Sequence, residues 1–271
     1  MAGAQEKTAL LNIDGKWHKP SGATPSTHIL KPPMGILHNG IDLTTSVENE
    51  WLCLKICAHL GLPVANAEIA TFGDQKCLVV ERFDRKWTSR KVLRVPQEDL
   101  CQALGFPSSK KYQFEGGPGL VRIMTLLNAS DERKKDRANF MRSQLIFFLL
   151  AATDGHAKNF SLFLTKNGFR LTPFYDVMSA FPAATKRQIQ IQKATLAMSV
   201  AKRYKLKEIV RRHYVAAAKE AGFSQRELNE IIDELKESVP TLADQIDMPK
   251  GFPDEIFTQV FGGLEKQLRR L

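Results

Sequence analysis

The chain has 271 residues, of which 43% are apolar and 25% charged. That length suits one large domain or two intimately packed lobes sharing a cleft, and the composition excludes a disordered chain. No apolar run approaches the roughly 20 residues that span a bilayer. The longest, Leu145–Ala152, is far shorter. The segment Met1–Lys7 has no hydrophobic signal core, so a cytoplasmic protein with no membrane partner is expected.

Net charge is +10, which favours an anionic partner such as a nucleotide, a nucleic acid or an acidic protein. The excess is uneven. Lys186–Arg212 holds nine Lys or Arg against one acid, Glu208, whereas Glu227–Glu255 is mostly acidic. The four cysteines, Cys53, Cys57, Cys77 and Cys101, form no C-x-x-C pair. Without further ligands nearby they are expected to be buried free thiols.

In chain order the first third is sheet. Thr8–Ile13 and Lys16–His18 flank Asp14-Gly15, a dipeptide that supplies the positive φ of a type I′ hairpin turn. Pro20–Pro25 is a loop, and Thr27–Lys31 a short strand stopped by Pro32-Pro33. Ser46–Leu60 has helical spacing, with Gly61 placed to end it. Asn66–Phe72 and Lys76–Phe83 are strands joined by Gly73-Asp74, and Val80–Phe83 would form a hinge.

From Gln97 onward the pattern is helical. Arg137–Thr153 is an amphipathic helix, and Lys207–Ala221 another, ended by Gly222. Ser224–Glu227 has the spacing of a capping box, and a last helix spans Asp254–Leu271. A sheet portion followed by a helical one gives an α+β class. The expected lobes are residues 1–85 and 86–271.

The chemistry concentrates after the apolar helix, in Ala151–Phe160, and again at Pro173–Asp176. Phosphoryl transfer needs a group that positions the attacking hydroxyl, oxygen ligands for Mg²⁺ and a cation for the phosphates. Asp154 would position the hydroxyl and accept its proton. Asn159 and Asp176 would hold Mg²⁺, and Lys158 would steady the transferring group. Strands at Phe160–Leu164 and Gly168–Leu171 would bring Asn159 and Asp176 back to one end. Taken alone, D-x-x-x-x-N is equally turn chemistry. Lys31 at a strand end and Glu50 in the next helix stand where kinases place the lysine and glutamate that hold ATP phosphates, although a lone strand lysine is also commonly a solvated end. His156 would orient Asp154 or satisfy a turn.

These residues stand in stretches that resemble the HipA/HipT family of bacterial serine/threonine kinase toxins. The matching stretches are AGAQEKTALL (2–11), THILK (27–31), ERFDR (81–85), RVPQEDLCQ (94–102), GGPG (116–119), ATDGHAKNFS (152–161) and LTPFYDV (171–177). The resemblance implies a protein-kinase-like two-lobed fold, with a sheet-rich first lobe and a mostly helical second. It places ATP against Gly3, Ala4, Gln5, Lys7 and Thr8 of a phosphate-covering loop, against Lys31, and against Glu81 and Phe83 at the adenine-side hinge, with His156 nearby. Asp154 and Lys158 fall at the catalytic positions, Asn159 and Asp176 at the Mg²⁺ ligands.

The resemblance further implies a toxin of a toxin–antitoxin module. Its target would be a protein such as an aminoacyl-tRNA synthetase, and its partners a HipB-type antitoxin and a HipS-like small protein, with nucleic acid met only indirectly. The chain begins directly before Ala2, which resembles either the short HipT form that lacks the family's N-terminal subdomain or a truncated chain. The family's autophosphorylated serine upstream of the loop has no counterpart, so control would rest on partners or another Ser/Thr. The basic run Lys186–Arg212, following Asp176, would dock the anionic target or is equally a solvated face. The rivals are a catalytically silent binding scaffold and a small-molecule phosphotransferase, which shares the D-x-x-x-x-N…D pattern.

Overall fold

The structure, a computed structural model, describes residues 5–89 and 91–271. Strands β1 (Thr8–Ile13), β2 (Lys16–His18) and β3 (His28–Lys31) come first, and the short pair β4 (Gly35–Ile36) and β5 (Asp42–Leu43) follows. Helix α1 (Ser46–His59) then leads into β6 (Ala67–Phe72) and β7 (Gln75–Glu81). These build an antiparallel sheet in the order β2-β1-β3-β7-β6. The turn residues Asp14 and Gly15 have φ of 49° and 79°, the left-handed pair that such a hairpin requires.

Alternation along β7 sorts its side chains between two faces. Leu78 and Val80 join the main core with Leu52 and Ile56 of α1. Cys77 and Val79 pack with Leu30 on the opposite face, under Leu10, Trp17 and Phe72. Helix α1 ends where expected: Gly61 at φ 84° lets its own N–H reach the Ala58 carbonyl at 3.0 Å, and the Leu62 N–H reaches Cys57 at 3.0 Å.

A junction held by charge follows. Arg82 donates to both oxygens of Asp84 at 3.0 and 2.8 Å, and Arg85 adds a bond at 2.5 Å. Beyond it lies the hairpin β8 (Arg85–Trp87) and β9 (Val92–Arg94). Gln97–Asp99 is a strand, β10, where helical structure was expected. It is recruited by tertiary pairing with β11 (Ser161–Leu164), whose other edge pairs with β12 (Phe169–Leu171).

The helical part comprises α2 (Leu100–Ala103), α3 (Leu120–Leu126), α4 (Arg133–Leu149), α5 (Phe181–Thr185), α6 (Arg211–Glu220), α7 (Gln225–Ser238), α8 (Leu242–Gln245) and α9 (Asp254–Leu268). Helix α4 stops at Leu149 rather than Thr153, and Ala151 turns to φ 50°. The helix expected from Lys207 starts at Arg211, after a single 3₁₀ turn. Ser224 caps α7 by accepting from the Glu227 N–H. Inside the basic run the structure forms an unexpected hairpin, β13 (Thr195–Val200) and β14 (Arg203–Lys205).

One apolar core joins both parts, from Leu52 and Leu54 of α1 through Phe140 and Phe148 of α4 to Ile256 and Leu264 of α9. All four cysteines are free and buried. No helix among the described residues is long and apolar enough to cross a membrane.

Candidate active site

Lys31 is the last residue of β3, in register with Leu78 of β7, and its side chain is buried. Its Nζ lies 2.7 Å from Glu50 Oε1 on α1 and 3.0 Å from Asp176 Oδ1. Burial disfavours the ammonium, but Glu50 and Asp176, by charge and hydrogen bonding, hold its pKa above the ordinary lysine value. For Asp176 burial works against ionisation, and Lys31 prevails, keeping the carboxyl below its usual range with help from Lys7 and His156. Glu50 is fully enclosed, and burial pushes its carboxyl up against the pull of Lys31.

Two tethers bring Asp176 to this place. Phe174 forms a parallel bridge with Val64, its N–H on Pro63 and its carbonyl receiving the Ala65 N–H, both at 2.8 Å. On the other side, Asn49 of α1 clasps the Ser179 backbone, donating to its carbonyl at 2.8 Å and accepting its N–H at 2.9 Å. Between the tethers Asp176 sits at φ 60°, a left-handed conformation that Asp tolerates better than most residues.

The second cluster is the turn after α4. The Asn159 amide nitrogen donates to the Asp154 carbonyl at 2.8 Å and to the Asp176 carbonyl at 3.5 Å. Those bonds tie the turn to the Lys31 cluster and leave the amide oxygen as the group able to meet a cation. With the second oxygen of Asp176, this is a hard-oxygen donor pair suited to Mg²⁺. The Asp154 side chain is 59% exposed, while His156 is buried, its Nε2 3.8 Å from Asp154 Oδ1. Burial lowers the His156 pKa against the raising charge of Asp154. Its Nδ1 has no hydrogen-bond partner among the described residues.

Lys158 is engaged elsewhere. Its ammonium pairs with Asp99 Oδ2 at 2.6 Å, and Asp99 also caps α2. In the N-terminal loop Gln5 donates to the Pro32 carbonyl at 3.1 Å, and Thr8 opens β1 opposite Leu30. Burial lowers the Lys7 pKa, with the Lys31 charge adding to it and Asp176 and Glu50 opposing, which puts Lys7 within electrostatic reach of the cluster. Gly3 and Ala4 lie outside the described residues. Of the expected hinge residues, Glu81 is exposed and accepts from the Asn66 amide at 3.2 Å. Phe83 packs edge-on to Phe163 and tilted against Tyr175, with centroids 5.6 and 5.7 Å away.

Several neighbours carried no sequence signal. Tyr112 donates a hydrogen bond to Asp154 Oδ1. Tyr175 donates to the Lys158 carbonyl at 3.0 Å and takes a bond from Ser161 at 2.6 Å. A cavity of about 580 Å³ shares Lys7 with the cluster, together with Lys19, Arg85 and Arg94, but Lys31, Asp154, Asn159 and Asp176 do not line it.

Residues 1–243 match the family model described as the HipA-like C-terminal domain. Y4mE of Sinorhizobium fredii, a protein named as a candidate kinase, is 34% identical over 247 residues, covering 88% of this chain and 56% of that protein. The serine/threonine-protein kinase toxin HipA of Shewanella oneidensis is 33% identical over 192 residues, 66% of this chain and 42% of that one. The chain thus spans about half the length of these relatives. Among solved structures, the HipA–HipB–operator DNA complex of Shewanella oneidensis superposes with a TM-score of 0.83 at 26% identity, over 99% of this chain and 64% of that one. The proinflammatory kinase CtkA of Helicobacter pylori shares the fold, with a TM-score of 0.60 at 13% identity over 100% of this chain and 90% of that one.

Proposed function

This chain belongs to the HipA family, and on that premise we propose that it is an ATP- and Mg²⁺-dependent serine/threonine protein kinase, the toxin of a toxin–antitoxin module. One observation carries the reading. The buried lysine at the end of β3, the carboxylate of Asp176 and the turn of Asp154 and Asn159 come from three distant parts of the chain and meet in one place. Kinase chemistry asks for that set, because it is mostly positioning and charge stabilisation.

ATP would supply the phosphoryl group, and Mg²⁺ would neutralise the charge on its phosphates. Lys31, fixed by Glu50, gathers phosphate oxygens. Asn159 and Asp176 provide the metal's oxygen ligands. Asp154, the most exposed of the group, holds the acceptor hydroxyl and takes its proton. Gln5, Lys7 and Thr8 cover the phosphates, and Glu81 and Phe83 border the adenine. Lys158, paired with Asp99, fastens the catalytic turn to β10 and is available to the transferred group only when that pair opens.

The acceptor is a protein serine or threonine, on a target such as an aminoacyl-tRNA synthetase, whose modification would stop translation. A HipB-type antitoxin and a HipS-like small protein are the proposed partners. The relatives' names support kinase and toxin, and the solved HipA–HipB complex supports the antitoxin. The test is γ-labelled ATP added to a bacterial cytosolic extract with the wild type, Asp154→Asn and Asp176→Asn. A labelled protein band that needs both aspartates supports the reading. Label in small molecules alone would favour the phosphotransferase, and no transfer would leave a scaffold.

A further inference from the structure

The loop between α2 and α3, residues 104–119, has no part in the proposed chemistry so far, yet it reaches the proposed base. It runs through two 3₁₀ turns, Ser108–Lys110 and Gln113–Glu115, with Tyr112 between them. Tyr112 is half-buried. Its hydroxyl donates to Asp154 Oδ1, and its ring stacks on Phe114 at 5.2 Å and meets the His156 ring edge-on at 5.0 Å. A backbone bond fixes the same registration, since the Ala157 N–H donates to the Lys111 carbonyl at 3.2 Å. The loop therefore grips the catalytic turn by both side chain and main chain.

The loop is itself built to stay in place. The Tyr112 carbonyl accepts from Gly117 at 3.0 Å and Glu115 at 3.2 Å. A Cβ on Gly117 would stand 2.1 Å from the Lys110 carbonyl oxygen, so only glycine lets the backbone fold back there. A Cβ on Gly119 would collide with the Gln113 amide at 2.2 Å. That amide oxygen is needed, because it accepts from the Ser199 N–H at 2.7 Å and anchors the loop to β13. The Gly116–Gly119 stretch thus serves the placement of Tyr112.

We infer that Tyr112 is a positioning residue for the transfer reaction, orienting the Asp154 carboxylate by occupying Oδ1 so that Oδ2 receives the acceptor hydroxyl. This rests on the reading of Asp154 as the group that holds that hydroxyl. Two features favour positioning over a displaceable plug. Tyr112 is braced by two aromatic rings and a tied loop. Burial, reinforced by Asp154, also keeps its hydroxyl protonated and therefore a donor throughout the physiological range.

Tyr112→Phe removes only the hydroxyl. Initial rates of label transfer from γ-labelled Mg-ATP to the principal acceptor band of a cytosolic extract should fall roughly tenfold at saturating ATP, the scale of one hydrogen bond to a charged group. ATP affinity by titration and the melting temperature should not change. In an Asp154→Asn background the same substitution should cost nothing further, which a merely structural role would not reproduce. Intact mass after incubation with Mg-ATP should show no phosphate on Tyr112. Wild-type rates in Tyr112→Phe with an inactive Asp154→Asn would overturn the positioning role alone. So would a faster variant, an additive loss in the double variant, or phosphotyrosine at 112. Full transfer by Asp154→Asn would instead remove the reading of Asp154 itself.

Discussion

The Lys31 ammonium stands 3.0 Å from the Asp176 carboxylate, joining a strand end to a residue 145 positions further along the chain. With Glu50 on its other side, Lys31 stands between two acids, of which Glu50 is buried and Asp176 partly exposed. Breaking such a buried cluster costs more than its net contribution, because the remaining charges lose their partner.

Lys31→Met should therefore destabilise the protein by about 3–5 kcal/mol in denaturant unfolding at pH 7 and abolish ATP binding in a nucleotide titration. Lys31→Met with Glu50→Leu should recover a substantial part of the stability while binding stays lost. If the single variant unfolds like the wild type, the cluster is not an interdependent unit.

The Asp84 carboxyl, between β7 and β8, gives a pH signature. Burial alone would raise its pKa, but hydrogen bonds and charge from Arg82, then Arg85, hold it below the ordinary range. A depressed carboxyl stabilises the fold above its unfolded pKa, roughly 3.9, and that contribution fades as pH falls through the lower folded value. The difference in unfolding free energy between wild type and Asp84→Asn should thus be constant from about pH 5 to 7. It should shrink toward zero in more acid solution. A difference that stays constant down to full acid unfolding would contradict the Arg82–Asp84–Arg85 pairing.

What the sequence displayed of this site depended on range. Asp154, Asn159 and Asp176 stand out because one turn and one hairpin join them, so spacing alone predicts their approach. Lys31 stands out because Pro32-Pro33 ends its strand. Tyr112 has no such mark, since it reaches Asp154 across 42 residues through a loop held by glycine close approaches and one glutamine. The same holds for Asp99, a helix cap by local spacing whose bond to Lys158 exists only because β10 pairs with β11. The β13–β14 hairpin was hidden because its turn uses Ala201 and Lys202 at φ 46° and 65°, where no Asn or Gly announces a left-handed pair. Its cationic residues pointed to a docking or solvated face, not to a strand pair.

Gly155 is as constrained as its neighbours. A Cβ there would lie 2.4 and 2.7 Å from ring carbons of Phe147, which packs against Phe160 inside the core. Gly155→Ala must push either that ring or the turn carrying Asp154. Overpacking of this kind costs about 1–3 kcal/mol, to be read from the melting temperature. Transfer to a protein acceptor should fall further than stability does, because the displaced residue is Asp154. A variant with lowered melting temperature and unchanged turnover would show that the core yields instead of the turn.

The β13–β14 face offers the last test of the proposed acceptor docking. Lys202, Arg203 and Lys205 border a cavity of about 390 Å³ with Tyr204 and Phe114, and Phe114 in turn stacks on the tyrosine that touches Asp154. Glu208 is the single acid lining it, 3.8 Å from both Arg203 and Lys205. Exposed cations of this kind act mainly by steering, and salt screens them within about 8–10 Å. Replacing Lys202, Arg203 and Lys205 by glutamate should lower kcat/KM for a protein acceptor roughly tenfold at low salt, with less effect near 0.5 M salt. ATP affinity should stay at the wild-type value, because none of the three touches the Lys31 cluster. Equal kcat/KM at low salt would mean that the β13–β14 face is simply solvated. A loss that persists unchanged at high salt would point to contact through Tyr204 and Phe114 rather than charge.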